Sequence, residues 1–126
     1  MKTLPTSSDL ARIPGFSPWL QDRSWQDMFD HRSLRRSRSY ANGSGIVEIK
    51  FARLDSGVLL TGSVFGTASS PYRVEIFVDA EMEDFEAECS CPVGVFCKHG
   101  AAVLGRLAEI SKGEESTKSA KIDAPV

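Results

Sequence analysis

The sequence predicts an α+β fold, a small antiparallel sheet of about four strands with an N-terminal helix before it and a C-terminal helix after it. Three observations lead there. Apolar and polar residues alternate over residues 46–54, 58–65 and 72–78, and a further alternating run begins at Phe85; a period of two marks strands with one buried face. From His99 onward the apolar period changes to that of a helix, with His99, Val103, Leu107 and Ile110 on one stripe and Leu104 at its edge. Between that last strand and that helix, Cys89, Cys91, Cys97 and His99 crowd together, and a cluster so placed can tie sheet to helix.

At 126 residues the chain has room for one domain with a single modest core. The expected division is a disordered N-terminus over 1–9, one domain over 10–110 and a disordered tail or linker over 111–126, where the sequence turns polar without periodicity. The first residues lack the apolar core of a signal peptide, and no run approaches the length of a membrane span. Over residues 10–20, two prolines and a glycine beside Phe16, Trp19 and Leu20 suggest an irregular segment pinned by aromatic contacts. Ser24 followed by Asp27 resembles a helix start, which would place Trp25, Met28 and Phe29 on one core-facing stripe through Asp30 and beyond.

Residues 31–40 read HRSLRRSRSY, with Arg32, Arg35, Arg36 and Arg38 and no acid among them. Such a cluster beside Tyr40 can bind phosphates and stack on bases; the other reading is a solvated helix end, where cations are favoured. His31, far from any ligand partner in sequence, reads as a surface histidine. A turn is expected over residues 42–45. The strands that follow should bury Val47, Ile49 and Phe51, then Val58, Leu60 and Val64, then Val74 and Ile76. Asp55, Ser56 and Gly57 join the first two as a hairpin, and residues 66–71 form a longer polar loop. Seven acids, Glu75, Asp79, Glu81, Glu83, Asp84, Glu86 and Glu88, follow with no lysine or arginine between them. They read as a solvated loop and outer strand face rather than a calcium site, whose ligand spacing they lack.

The cluster has the spacing C-x-C-x5-C-x-H. On a strand, Phe85, Ala87, Cys89 and Cys91 share one face, so both thiols point the same way. Pro92, Val93 and Gly94 supply a turn that returns Cys97 from the other side. Three thiolates and one neutral imidazole make a closed tetrahedral set, the structural rather than the catalytic pattern for Zn2+. Lys98 and the positive end of the helix at His99 would offset its formal charge of about −1. Three cysteines cannot pair fully, and a Cys89–Cys91 bridge would be strained. An iron–sulfur cluster or thiol chemistry with His99 uses the same residues. A single small ion suits ligands this close better, and no orienting acid or oxyanion hole stands nearby.

The run C-x-C-P-x4-C-K-H, followed by Gly100, Ala101, Ala102, Val103 and Leu104, resembles the SWIM-type zinc finger found at the N-terminus of bacterial Swi/Snf-type helicase-like ATPases. The similarity takes in Arg38, Ser39 and Tyr40, the run from Leu60 through Gly66, and Tyr72 through Ile76, so it spans residues 34–107. It implies zinc held by Cys89, Cys91, Cys97 and His99, and a role in binding DNA or protein beside another domain.

Net charge of −2 and a pI near 5.7 exclude a simple polycation that coats nucleic acid, so any such binding must come from a local patch. No G-x-x-x-x-G-K phosphate loop, nucleophile elbow or open metal position is present, and no enzymatic activity is expected. Reduced cysteines suit an intracellular, cytoplasmic setting, nuclear in a eukaryote. Two functions follow: a zinc-stabilised module that binds DNA through Arg32, Arg35, Arg36 and Arg38, or a protein-interaction module that docks on an ATPase or other partner domain. Neither involves a membrane or a small-molecule substrate.

Overall fold

The computed structural model describes residues 3–42, 45–66 and 69–121, with side chains described through Lys112 except for Asn42. The expected turn at 42–45 and loop at 66–71 lie partly outside these residues, as do positions 1, 2 and 122–126.

Four strands, β1 (Ile46–Leu54), β2 (Gly57–Val64), β3 (Tyr72–Asp79) and β4 (Phe85–Cys89), form an antiparallel meander in the order β1-β2-β3-β4. The helices α1 (Ser7–Ala11), α2 (Phe16–Asp22), α3 (His31–Asn42) and α4 (Lys98–Lys121) accompany it, with a short 3-10 helix over Ser24–Met28. Period-two burial on β2 and β3 puts Val58, Leu60, Val64, Val74, Ile76 and Val78 into one core. On β1 the alternation breaks: a bulge between Ile46 and Glu48 shifts the register, so Ile46 and Ile49 are both buried. Val47, expected inside with Ile49 and Phe51, is only partly buried for that reason.

Helix α4 is the central element. Ala101, Ala102, Val103, Leu104, Leu107 and Ala108 are all buried, because the helix meets β1, β3 and β4 on one side and α1, α2 and α3 on others. A single stripe therefore understates its burial. Leu104, placed at the stripe's edge by the periodicity, is fully buried, whereas Ile110 is half-buried.

The N-terminal part departs from the sequence reading in four places. Residues 3–9, expected to be disordered, are ordered: the Thr3 amide donates to the Val47 carbonyl and the Ile49 amide donates to Thr3, both at 2.9 Å. Thr6 and Asp9 then form a reciprocal capping box that starts α1. The segment 10–20 is not irregular. Pro14 and Gly15 separate α1 from α2, with Leu10, Ile13, Phe16 and Leu20 buried. The helix expected through Asp30 stops at Met28, since Phe29 is extended at φ −111°, ψ 147°. Trp25 and Phe29 still reach the core while Met28 is 52% exposed. Finally, residues 31–40 are a whole helix rather than the end of one, begun by Asp30, whose carboxylate accepts from the Ser33 amide at 2.7 Å.

At the other end, α4 continues to Lys121 instead of giving way to a tail at 111. Ser111 is buried, donates to the Ala108 carbonyl at 2.7 Å and accepts from Gln21 at 3.1 Å. That long-range bond ties the helix to α2.

Candidate metal centre

The four chemistry-bearing side chains come from three local structures. Cys89 is the last residue of β4, which ends there rather than running on to Cys91. Cys91 opens a knuckle in which Gly94, at φ 90°, turns the chain back. Its return leg is held by the Cys89 amide donating to the Gly94 carbonyl at 2.8 Å and the Phe96 amide donating to Ala87 at 3.0 Å. Cys97 follows, and α4 begins at Lys98, one residue before His99. The aromatic rings of Phe29, Phe85 and Phe96, with centroids 5.6 to 6.2 Å apart, support the knuckle from below.

This arrangement brings one ligand atom each from Cys89, Cys91, Cys97 and His99 within 4.8 Å of one another. His99 Nδ1 lies 3.7 Å from Cys89 Sγ and 3.6 Å from Cys97 Sγ. A tetrahedron with Zn–S near 2.3 Å and Zn–N near 2.0–2.1 Å has S···N edges of about 3.5–3.6 Å, so the donor set fits zinc. Cys91, Cys97 and His99 are buried and Cys89 is half-buried. Without the ion the thiols compete for protons. The Cys89–Cys97 hydrogen bond holds the Cys97 thiol well below the ordinary range and pushes Cys89 far above it. A divalent cation removes that conflict by taking all three sulfurs as thiolates. The thiols are free, with no disulfide among them.

With Nδ1 turned to the sulfurs, the proton of the neutral ring belongs on Nε2. That atom is buried and has no hydrogen-bond partner among the described residues. Gly66 packs against it: a Cβ there would stand 3.0 Å from Nε2 and 2.6 Å from Tyr72 Cε2. Tyr72 lies against the imidazole at 4.7 Å and 34°, and Tyr40 meets it edge-on at 5.1 Å and 76°. Lys98 sits 5.6 Å from the Tyr40 ring centroid. The ring orientation is thus fixed by packing rather than by a carboxylate. Sequence reasoning did not assign Tyr72 this position. Its parity with Val74 and Ile76 on β3 carried the signal, since residues 72, 74 and 76 share the inner face.

Arg32, Arg35, Arg36 and Arg38 are all exposed on α3, and none is ion-paired with a described acid. They divide between two sides of the helix. Arg32 and Arg36 border a groove over the cluster, while Arg35 and Arg38 border a second depression with His31, which is exposed. Of the seven acids, Glu75, Glu86 and Glu88 lie on the outer sheet face, away from the helices. Asp79 is turned to structural use, accepting from the Glu83 and Asp84 amides at 2.8 and 3.3 Å.

Searches of curated proteins and of solved structures return no match to this chain. A protein-family model does match, over residues 72–108, which take in β3, β4, the knuckle and the first three turns of α4; the resemblance read upstream of Tyr72 lies outside that match. With all four ligand positions filled and gathered at one point, the chain carries a SWIM zinc finger over residues 72–108.

Proposed function

We propose that this chain is a non-catalytic accessory module in which zinc holds sheet and helix together so that α3 can bind DNA, beside a helicase-like ATPase domain. The observation that carries the reading is the run of four exposed arginines on α3, free of acidic partners among the described residues. Cations presented on a rigid helix gain affinity by releasing counterions from phosphates. α3 packs along α4, so the ligand His99 and the arginines share one rigid frame. Bound zinc supplies a crosslink between β4, the knuckle and α4. Four protein donors fill a tetrahedral shell and leave no position for a reacting water, which supports a structural rather than a catalytic ion. The ATPase neighbour follows from the family resemblance.

A second reading has its own support. The outer face of the sheet is uncovered by any described element and carries the half-buried pair Leu59 and Phe77, with Leu54 50% exposed and Glu86 and Glu88 beside them. An apolar strip with an acidic margin suits a basic protein partner.

Fluorescence anisotropy of the zinc-loaded chain against DNA over a range of salt separates the two. The DNA reading expects a log–log salt slope of about −3 to −4 if four phosphates are contacted, and loss of binding when the four arginines become alanine. No DNA bound even at low salt overturns it and leaves the sheet-face reading.

A further inference from the structure

The groove bordered by Arg32 and Arg36 lies between α3 and the zinc knuckle, directly over the cluster: Cys91, Cys97 and His99 line its floor, and the ion's own site takes up part of its volume of about 440 Å³. Its walls include Tyr40 and Tyr72, both half-buried, with Lys98 at the start of α4 and Val93, 67% exposed, at its lip. Two aromatic rings flanked by three cations is the combination that takes a nucleotide apart: cations hold the phosphate, rings hold the base.

Charge alone is a weak attractant here. Arg32, Arg36 and Lys98 are offset by the carboxylate of Asp30, already committed to the Ser33 amide, and by the formal charge of about −1 on a loaded Cys3His site. The margin is a single positive charge. The neutral surface of the tyrosines must therefore supply much of what this side of α3 can offer a ligand, and they are rigidly placed, since both pack on His99. Bases of a duplex are paired and turned inward, and reach such a groove only by being flipped out. Bases of a single strand reach it freely.

Building on the DNA-binding reading, we propose that this groove accepts one unstacked base with its phosphate from single-stranded DNA, so that the module prefers single strands to duplex. Arg35 and Arg38, on the other side of α3, then act only as general phosphate contacts.

The test is anisotropy of the full zinc-loaded chain against a labelled single-stranded oligonucleotide, its duplex, and the same strand with abasic sites. The single strand is expected to bind about tenfold or more tighter than either. Tyr40→Leu, assayed in excess zinc so that the site is loaded in variant and parent alike, should erase most of that difference, and Arg35→Ala with Arg38→Ala should weaken all three ligands alike. Equal binding of single strand, duplex and abasic strand, still abolished by removing all four arginines, overturns the groove and leaves α3 as a DNA contact. No binding of any of the three at low salt overturns both.

Discussion

His99 is held at three points by different chemistry: sulfurs face Nδ1, Tyr72 and Tyr40 fix the ring, and Gly66 closes against Nε2. Losing any ligand removes more than a contact. Structural zinc contributes roughly 10–16 kcal/mol in comparable small sites, so Cys97→Ser and His99→Ala should each lose stoichiometric zinc and part of the far-UV helical signal. Zinc content and helicity unchanged in both variants would show that the ion is held elsewhere. Gly66→Ala is a subtler probe. Its Cβ would press on Tyr72 and His99 at 2.6 and 3.0 Å, and overpacking of this kind costs about 1–3 kcal/mol. Zinc affinity measured by chelator competition should fall about tenfold, the low end for a disturbed outer shell. The cluster of Cys89, Cys91, Cys97 and His99 was legible in the sequence because thiols and imidazole at close spacing have few uses. Gly66 was not, because its constraint comes from a ring on another strand.

Element by element, the strands were read more accurately than the helices. β2 and β3 are buried on one face only, so their alternation shows directly. β1 deviates at its bulge, where one extra residue moves Val47 out of the inner row. The helices escape a single-stripe description for two reasons. α1, α2 and the 3-10 helix are too short to show a period, and α4 is surrounded on several sides. Leu104→Ala, in the middle of that surrounded helix, should cost about 2–5 kcal/mol of stability in thermal or denaturant unfolding of the zinc-loaded chain. Asp30 decides where α3 begins. Its carboxylate is held below the ordinary range chiefly by the Ser33 backbone hydrogen bond. A depressed value means its stabilisation is fully present above the unfolded carboxylate pKa of about 3.9 and lost as pH falls through the lower folded value. NMR titration should place the Asp30 midpoint below that reference. Asp30→Ala at neutral pH should reduce amide protection at Ser33 while zinc remains bound.

For the whole molecule, zinc and the hydrophobic core are coupled, because α4 carries both His99 and the central apolar residues Val103, Leu104 and Leu107. Chelation should therefore loosen more than the knuckle. Hydrogen exchange after metal removal is expected to accelerate along β4 and the first turns of α4, with protection at β1 and β2 less affected. Uniform retention of protection would mean that packing alone holds the strand to the helix. The charge distribution is equally global. A chain of net charge −2 places Glu75, Glu86 and Glu88 on the outer sheet face and four arginines, none ion-paired with a described acid, on α3, so cations cluster on one helix despite the balance. Among the described residues, no helix is long and apolar enough to cross a membrane.

The sequence by itself determined the local facts: four donors of the right type at the right spacing, three strands by their alternation, and a helix after the knuckle. Each depends on neighbours along the chain, where period and ligand chemistry act. Only the tertiary structure decided that residues 3–9 pair with β1, that α4 is the hub, and that Tyr40, Tyr72 and Gly66 converge on His99. It also divided the arginines between two sides of α3. Those outcomes depend on contacts between residues tens of positions apart, whose geometry is set by packing and leaves no period in the sequence.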